Sequence, residues 1–287
     1  MFKMCNLRTN FHFLALLYFT FTAGGVNAAF SIPSHLSLHQ VHLRNNDPSS
    51  SWCYAATVDP TKERVDNELA QESSFNFLAT QVWPSARSAS FFLEQYVDAV
   101  RIRSINNSIP RDNSDGNDSS SWKICELGCG PGLPSLVIAG LNLPQVHVIA
   151  TDLDELALVL VNKAAKEQNF LNLVTERVDL TGDPNIIHKL NADLYVMSDV
   201  FENSAVAKGA AEITMKALDH GKRVWTFAQS DRAQREIYLQ ELEKLGAVKY
   251  GLVEWRATED YANENADHLC MDQLILFDLD ELTVNYG

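Results

Sequence analysis

The sequence predicts an α/β fold built on a mostly parallel sheet, and three observations support this. Short apolar runs alternate with helical patterns between residues 124 and 245. The first of these runs breaks into a glycine-rich turn that leads at once into a helical pattern. The last two runs have no helical pattern between them. Strands that alternate with helices form parallel sheets, because the helices are the crossover connections.

The N-terminal segment is predicted to be a targeting sequence. Lys3 and Arg8 precede an apolar stretch at residues 11–22, and small residues suited to cleavage follow, up to Ala28 and Ala29. This order is typical of a signal peptide, with a retained membrane anchor as the alternative. About a dozen apolar residues are too few for a membrane span, which needs roughly 20. We therefore expect no stable membrane association once the segment is removed.

The segment that follows the predicted cleavage site contains no acid before Asp47. An acid-poor, serine-containing tract has the character of a transit peptide. A signal peptide followed directly by Phe30 and such a tract resembles the bipartite presequence of proteins sent to the secondary plastids of algae. Residues 1–46 are therefore predicted to be a signal peptide plus a transit-like presequence that directs the chain to a plastid. Secretion, or residence in the endomembrane lumen, is the alternative.

The charge of the remaining chain bears on its partners. Residues 1–46 hold three cations and no acid, so removing them leaves 20 Lys and Arg against 37 Asp and Glu, a net charge of −17. Nucleic acid is not expected as a partner, since phosphate binding needs clustered positive charge. The five cysteines, at positions 5, 53, 125, 129 and 270, have neither the spacing of a disulfide framework nor that of a zinc site. No metal is expected.

The elements before the sheet are predicted as follows. Residues 47–80 have sparse apolar positions and are predicted to be a partly ordered lead-in that could include a small hairpin. The domain itself is predicted at residues 81–287. Ser85 is the expected N-cap of a first helix that covers the sheet. Residues 104–121 are polar and turn-rich, which predicts a disordered insertion. The apolar stripe of the first helix is Phe92, Leu93, Tyr96, Val97 and Val100.

The strands and helices of the sheet follow the insertion. Strands are predicted at 124–127, 146–150, 173–178, 193–197, 223–227, 248–255 and 273–277. Helices are predicted over 133–141, in the pattern that begins near 156, over 204–218, and after a Ser230 cap with Tyr238, Leu242 and Leu245 on one face.

The first strand and its glycine turn predict a ligand site. Glu126 is followed by Gly128, Gly130 and Gly132, and then by Leu133. Glycines at the start of a helix let a ligand approach the backbone close to the positive end of the helix. The dinucleotide fingerprint requires its third glycine one position later, and a triphosphate loop requires Lys after the last glycine. Neither pattern is present.

The run from Glu126 to Gly132 resembles motif I of the class I, seven-strand methyltransferases that use S-adenosylmethionine. The resemblance implies that cofactor and a Rossmann-like, doubly wound seven-strand sheet that ends in an antiparallel hairpin. In that family the acid lies near the methionine end of the cofactor, and the glycines let the backbone pass under it. A glycine-rich turn without a ligand is the alternative.

Ligands of open α/β sheets bind at the carboxyl ends of the strands, near the point where strand order reverses. This rule selects Asp152, Asp179, Ser198 and Asp199 in addition to the glycines. In the class I family the position of Asp152 binds both ribose hydroxyls, and the end of the third strand, Asp179 with Leu180, meets the adenine. Asp154 is the second choice for the ribose and also suits the start of a helix. A solvated turn acid is the alternative for Asp152.

Two further stretches resemble the family-16 protein methyltransferases, which modify mainly lysine, and in some members histidine, on other proteins. Residues 82–85, V-W-P-S, match that family's V/I-W-P-A element, whose Trp lies against the cofactor. The resemblance implies that Trp83 contacts the cofactor. The alternative is that Trp83 only covers the core between helix and sheet. The family's D-x-x-Y motif lines the path of the substrate side chain, and here Asp199 matches it while Glu202 replaces the Tyr.

Asp199 and Glu202 are the predicted catalytic residues. An acidic, partly buried lining can hold a lysine amine and shape its deprotonation. Alternatively, Tyr195 and Phe201 could line the acceptor site as an aromatic wall. The preferred hypothesis is methylation of a protein substrate, with lysine as the acceptor. A small-molecule methyltransferase of the same fold and a non-catalytic cofactor-binding or scaffold protein remain open.

Overall fold

The computed structural model describes residues 36–42, 52–58, 81–107, 121–229, 232–247, 252–256 and 272–277. The strands are β1 Leu36–His42, β2 Trp52–Val58, β3 Trp122–Leu127, β4 Val146–Asp152, β5 Leu173–Arg177, β6 Leu194–Ser198, β7 Arg223–Gln229, β8 Leu252–Arg256 and β9 Asp272–Phe277. The helices are α1 Pro84–Asn107, α2 Leu133–Gly140, α3 Glu155–Glu167, α4 Ile186–Leu190, α5 Ser204–Asp219 and α6 Ala233–Lys244.

Strands β3 to β7 form the parallel part of one sheet, in the order β5-β4-β3-β6-β7. The described part of the sheet continues through β9 to β8, and β9 pairs antiparallel with both β7 and β8. In β3, Ile124 lies opposite Val148 of β4 on one side and Leu194 of β6 on the other. Strand order therefore reverses at β3, which places the switch point at its carboxyl end. The predicted α/β fold with a parallel sheet is confirmed.

Helices cover both faces of this sheet, so its strands are buried on both sides. Apolar residues of α1, α2 and α3 pack with Ile124 and Val148 on one face. Residues of α4, α5 and α6 pack with Cys125 and Leu127 on the other face. Neighbouring residues of β3 thus serve opposite layers. Within the described residues, no helix is both long and apolar enough to cross a membrane.

Helix α1 covers the sheet as predicted. Its apolar stripe is buried at Leu93, Val97 and Val100. The ring of Phe92 packs edge-on against Trp225 and Phe227 of β7, with ring centroids 5.3 and 5.8 Å away. The helical spacing of the apolar residues therefore identified the face that meets the sheet.

Both predicted N-caps are wrong. Helix α1 already begins at Pro84, and the carbonyl oxygen of Trp83 accepts the N–H of Ala86 at 3.0 Å, so Ser85 lies within the first turn and is buried. Proline suits this first position because the N–H that it lacks would have no helical partner. Helix α6 begins at Ala233 with Arg232 as its N-cap residue. The predicted cap, Ser230, lies outside the described residues.

Two further boundaries and one helix differ from the prediction. Helix α1 continues to Asn107, so residues 104–107 are helical, and residues 108–120 of the predicted insertion lie outside the described part. Leu245 is exposed because α6 ends at Lys244, one residue before it. Helix α4 was not predicted, since its five residues are too few to show a period.

The N-terminal hairpin pairs β1 with β2 in antiparallel register, from Leu36 opposite Val58 to His42 opposite Trp52. Strand β2 lies against helices α2 and α3. Strand β1 belongs to the segment predicted to be a presequence, and β2 to the predicted lead-in. The boundary at residue 46 stays a prediction, and the structure adds that residues 36–42 pair with the lead-in.

Candidate functional site

The glycine turn between β3 and α2 forms a narrow backbone cradle. Gly128, Gly130 and Gly132 have φ angles of 66°, 51° and 70°, a region that residues with a Cβ rarely adopt. A Cβ on Gly128 would lie 2.7 Å from Cγ1 of Val200, and one on Gly132 would lie 2.5 Å from Cγ2 of Val161. The three glycines allow both the turn and its close contacts.

The Glu126 carboxyl group is fully buried beside this turn. The backbone N–H and the hydroxyl of Ser135 donate to its Oε2 at 2.9 and 2.5 Å, and the Ser198 hydroxyl donates to its Oε1 at 3.4 Å. Burial raises the pKa of Glu126 to about 7, and the hydrogen bonds from Ser135 limit the rise. Glu126 thus joins the first turn of α2 to the end of β6.

Asp152, at the end of β4, is bound to the same turn. Its Oδ2 accepts the N–H of Gly130 at 2.8 Å, and its Oδ1 accepts the N–H of Asp154 at 2.9 Å. Burial raises the pKa of Asp152. Asp154 accepts the N–H of Leu156 at 2.8 Å and so caps α3, the helix-start role that the sequence suggested. Of the two acids, Asp152 is the one bonded to the glycine turn.

The loop after β5 contributes Leu180 to the turn. Cδ1 of Leu180 lies 3.7 Å from the position that a Cβ of Gly128 would take. Asp179 is exposed, and its Oδ1 accepts hydrogen bonds from the N–H and hydroxyl of Thr181 at 2.8 and 2.7 Å. These bonds lower the pKa of Asp179. Of the predicted adenine-facing pair, the structure brings Leu180 to the turn and bonds the Asp179 carboxylate within its own loop.

Asp199 follows Ser198 at the end of β6 and is bound by Arg232. Nε of Arg232 donates to Oδ1 of Asp199 at 2.9 Å, and Nη2 donates to Oδ2 at 2.6 Å. The Asp199 side chain is 1% exposed, and that of Arg232 is 34% exposed. Both carboxylate oxygens therefore face a guanidinium group in this structure, and the predicted contact with an acceptor amine stays a prediction.

Trp83 contacts this ion pair, and Glu202 follows its acid in the chain. The guanidinium carbon of Arg232 lies 5.4 Å from the ring centroid of Trp83, within the range of a cation–π contact. Glu202 is exposed, three residues after Asp199. The structure thus brings Trp83 next to Asp199 through Arg232, and it presents the Glu202 side chain to solvent.

The suggested aromatic wall is wrong, because both rings belong to the core. The Tyr195 hydroxyl donates to the carbonyl oxygen of Ile187 at 3.1 Å, and the ring is 1% exposed. Phe201 is equally buried, with its ring centroid 4.9 Å from that of Tyr238. Both side chains pack in the layer of α4, α5 and α6.

Sequence reasoning missed two residues of the site. Ser135 donates both bonds to Glu126 from the first turn of α2, where a polar residue in an apolar helix start was a local signal. Arg232 lies just beyond β7, and the rule of strand ends could have selected it because β7 ends at the same edge of the sheet as β6.

Comparison with known proteins decides the family. A sequence model of a family described as lysine methyltransferase matches residues 64–245, which is more than half of the chain.

The chain belongs to this family. It is an S-adenosylmethionine-dependent methyltransferase, as motif I implied. No curated protein matches the chain.

Solved structures similar to this methyltransferase are remote in sequence. The human methyltransferase 10 domain containing protein is 13% identical, with 70% of this chain and 85% of that chain covered and a TM-score of 0.43. An rRNA methylase from Streptococcus thermophilus is 14% identical, with 56% and 88% covered and a TM-score of 0.41. The selenomethionine-substituted CurJ carbon methyltransferase is 15% identical, with 66% and 53% covered and a TM-score of 0.42. This chain thus spans about half of the CurJ structure's length.

The residues at the turn fit S-adenosylmethionine. A Cβ on Gly128 or Gly132 would collide with Val200 or Val161, so glycine at both positions lets the backbone of the turn follow this close path at the start of α2. Glu126 offers a buried carboxyl group for a cationic group, and Asp152 offers a half-buried carboxylate for hydroxyl groups. Among the described residues, no group of His, Cys, Asp and Glu could hold a metal ion.

We expect S-adenosylhomocysteine to bind more tightly as the pH rises from about 6 to about 8. Glu126 has a pKa of about 7, so it loses its proton over this interval and then attracts the ammonium group of the ligand. Calorimetric titration at several pH values measures this, and Glu126→Gln is the control that should remove the dependence. An equal pH dependence in both proteins would contradict the role of Glu126.

The stability of the free protein should change in the opposite direction. The pKa of Glu126 is raised from 4.5 to about 7, so between these values the folded state binds a proton that the unfolded state does not. The contribution of Glu126 to the free energy of unfolding is therefore lost as the pH rises through this window. Opposite pH trends of binding and stability would identify one carboxyl group as the cause of both.

Proposed function

We propose that this methyltransferase transfers the methyl group of S-adenosylmethionine to a lysine side chain of another protein. The observation that carries the proposal is the match of residues 64–245 to a family described as lysine methyltransferase. The cofactor supplies an electrophilic methyl group on a sulfonium centre. The chain's own residues would hold it, with Glu126 toward its methionine end, Asp152 at its ribose and Leu180 at its adenine.

The acceptor end of the site supports a cationic substrate. A lysine ammonium group must lose its proton before it can attack a methyl group, and an acid near the path can hold the amine while this happens. Glu202 is an exposed acid at the carboxyl edge of the sheet, three residues beyond the buried Asp199. The formal net charge of the whole chain is −14, which favours encounter with a basic protein.

Transfer of a labelled methyl group tests the proposal. The full chain is incubated with S-adenosylmethionine labelled on its methyl group and a cell extract, and the label is measured in the macromolecular and small-molecule fractions. We expect label in protein, recovered as methyl-lysine after hydrolysis and strongly reduced with the Asp152→Ala variant. Label found only in small molecules would show that the acceptor is a small molecule and not a protein. Binding of S-adenosylhomocysteine without any transfer would favour a scaffold.

Glu202→Gln should raise the KM for a basic protein acceptor about fivefold, the size of an exposed charge contact. The affinity for S-adenosylhomocysteine should not change, because Glu202 is assigned to the acceptor and not to the cofactor. Glu212→Gln removes the same charge from an exposed position in α5 and serves as the matched control. Equal KM values for the two variants would show that only net charge matters.

The sheet of this fold is part of the proposal. We propose that it is the complete seven-strand sheet and that β8 and β9 are its C-terminal antiparallel hairpin. The pairing of β9 with β8, from Leu252 opposite Phe277 to Arg256 opposite Gln273, supports this.

A further inference from the structure

Arg232 links three elements at the carboxyl edge of the sheet. It lies at the start of α6, its partner Asp199 ends β6, and Trp83 directly precedes α1. The two parallel hydrogen bonds to Asp199 fix the plane of the guanidinium group as well as its position. A guanidinium group whose plane is fixed offers its face to an aromatic ring.

The Asp199 side of this link is rigid. Asp199 has a φ angle of 54°, which a non-glycine residue adopts only when its surroundings hold it there. Its backbone N–H donates to the carbonyl oxygen of Phe227 at 2.9 Å, which ties the residue to β7. A carboxylate that is 1% exposed and bound through both oxygens is a fixed anchor for Arg232.

The other side of the link is Trp83. Trp83 is half-buried, and its carbonyl oxygen accepts the first helical hydrogen bonds of α1, from Ala86 at 3.0 Å and Arg87 at 3.4 Å. These bonds hold the backbone of Trp83 but leave its ring to be oriented by side-chain contacts. The guanidinium group of Arg232, at 5.4 Å from the ring centroid, is such a contact.

We propose that Arg232 is a positioning residue for cofactor binding: anchored on Asp199, it holds the indole of Trp83 where that ring meets S-adenosylmethionine. In this arrangement Asp199 serves Arg232 and not the acceptor, and the acceptor meets Glu202. The proposal rests on the predicted contact of Trp83 with the cofactor. The effect on cofactor binding does not depend on whether the acceptor is a lysine or a small molecule.

A double-mutant cycle on S-adenosylhomocysteine binding tests the proposal. The full chain is titrated as wild type, Trp83→Phe, Arg232→Gln and the double variant. Each single variant should weaken binding about fivefold, the size of a cation–π contact at a partly exposed site. Because Arg232 acts through Trp83, the double variant should also lose about fivefold, whereas independent effects would multiply to about 25-fold.

Two further variants complete the experiment. Arg232→Lys keeps the charge but loses the pair of parallel hydrogen bonds to Asp199, so its affinity for S-adenosylhomocysteine should match that of Arg232→Gln. It replaces Arg232→Gln in the cycle if that variant does not fold. Arg101→Gln, which breaks the Arg101–Asp98 pair on α1, should bind like wild type. Unchanged affinity in either single variant of the cycle, or multiplied losses in the double variant, would overturn the proposal.

Discussion

Gly209→Ala should lower the free energy of unfolding by about 3 kcal/mol, although alanine is the better helix former. A Cβ on Gly209 in α5 would lie 1.9 Å from the carbonyl oxygen of Leu180 and 2.9 Å from its carbonyl carbon. These are backbone atoms, so no side-chain rotation relieves the clash, and either α5 or the loop after β5 must shift. Chemical denaturation of the two proteins measures the loss.

The same substitution should weaken cofactor binding, because Leu180 is the residue that β5 brings to the glycine turn. The matched control is Gly221→Ala, which also adds one methyl group. Gly221 has a φ angle of 67° and nothing within 4 Å of the added Cβ, so about 1 kcal/mol of backbone strain is expected and no change in affinity. A Gly209→Ala protein as stable as wild type would contradict the close approach of α5.

Most of the fold could be predicted from local patterns, since the parallel strands contain apolar runs and the longer helices show their own period. The prediction failed where structure depends on distant parts of the chain. Helix α4 has five residues, too few for a period, and α6 begins after Arg232, whose side chain makes no capping hydrogen bond. Strand β1 is stabilised by pairing with β2, and its composition alone resembles a targeting segment.

The candidate site also has a part that local sequence predicts and a part that depends on distant residues. Glu126 and the glycines lie within one stretch of seven residues, so their pattern was visible in the sequence. Asp199 was also selected, from its place at a strand end. Its partner Arg232 lies 33 residues further along the chain, and nothing local indicates that the two side chains meet. Sequence reasoning therefore found the acid but not the guanidinium group that binds it.

Asp152→Ala should weaken the binding of S-adenosylhomocysteine at least about tenfold, which is the loss of one charged hydrogen-bond contact. Two effects add in the same direction. The variant lacks the carboxylate assigned to the ribose hydroxyls, and it also lacks the acceptor for the N–H of Gly130, which lies 2.8 Å from Oδ2 in the wild type. The cradle itself is then less well held. Calorimetric titration of both proteins measures the change.

Asp154→Ala separates the ribose assignment from a general effect of charge near the turn. Asp154 lies two residues away and caps α3, so its loss should cost about 1 kcal/mol of stability and leave the affinity unchanged. Asp152→Asn keeps one of the two acceptor oxygens, so its affinity should fall between those of wild type and Asp152→Ala. If Asp154→Ala lost affinity and Asp152→Ala did not, the ribose would belong to the helix cap. The bond from Gly130 to Asp152 argues for the opposite result, because it places this carboxylate against the backbone under which the cofactor is expected to lie.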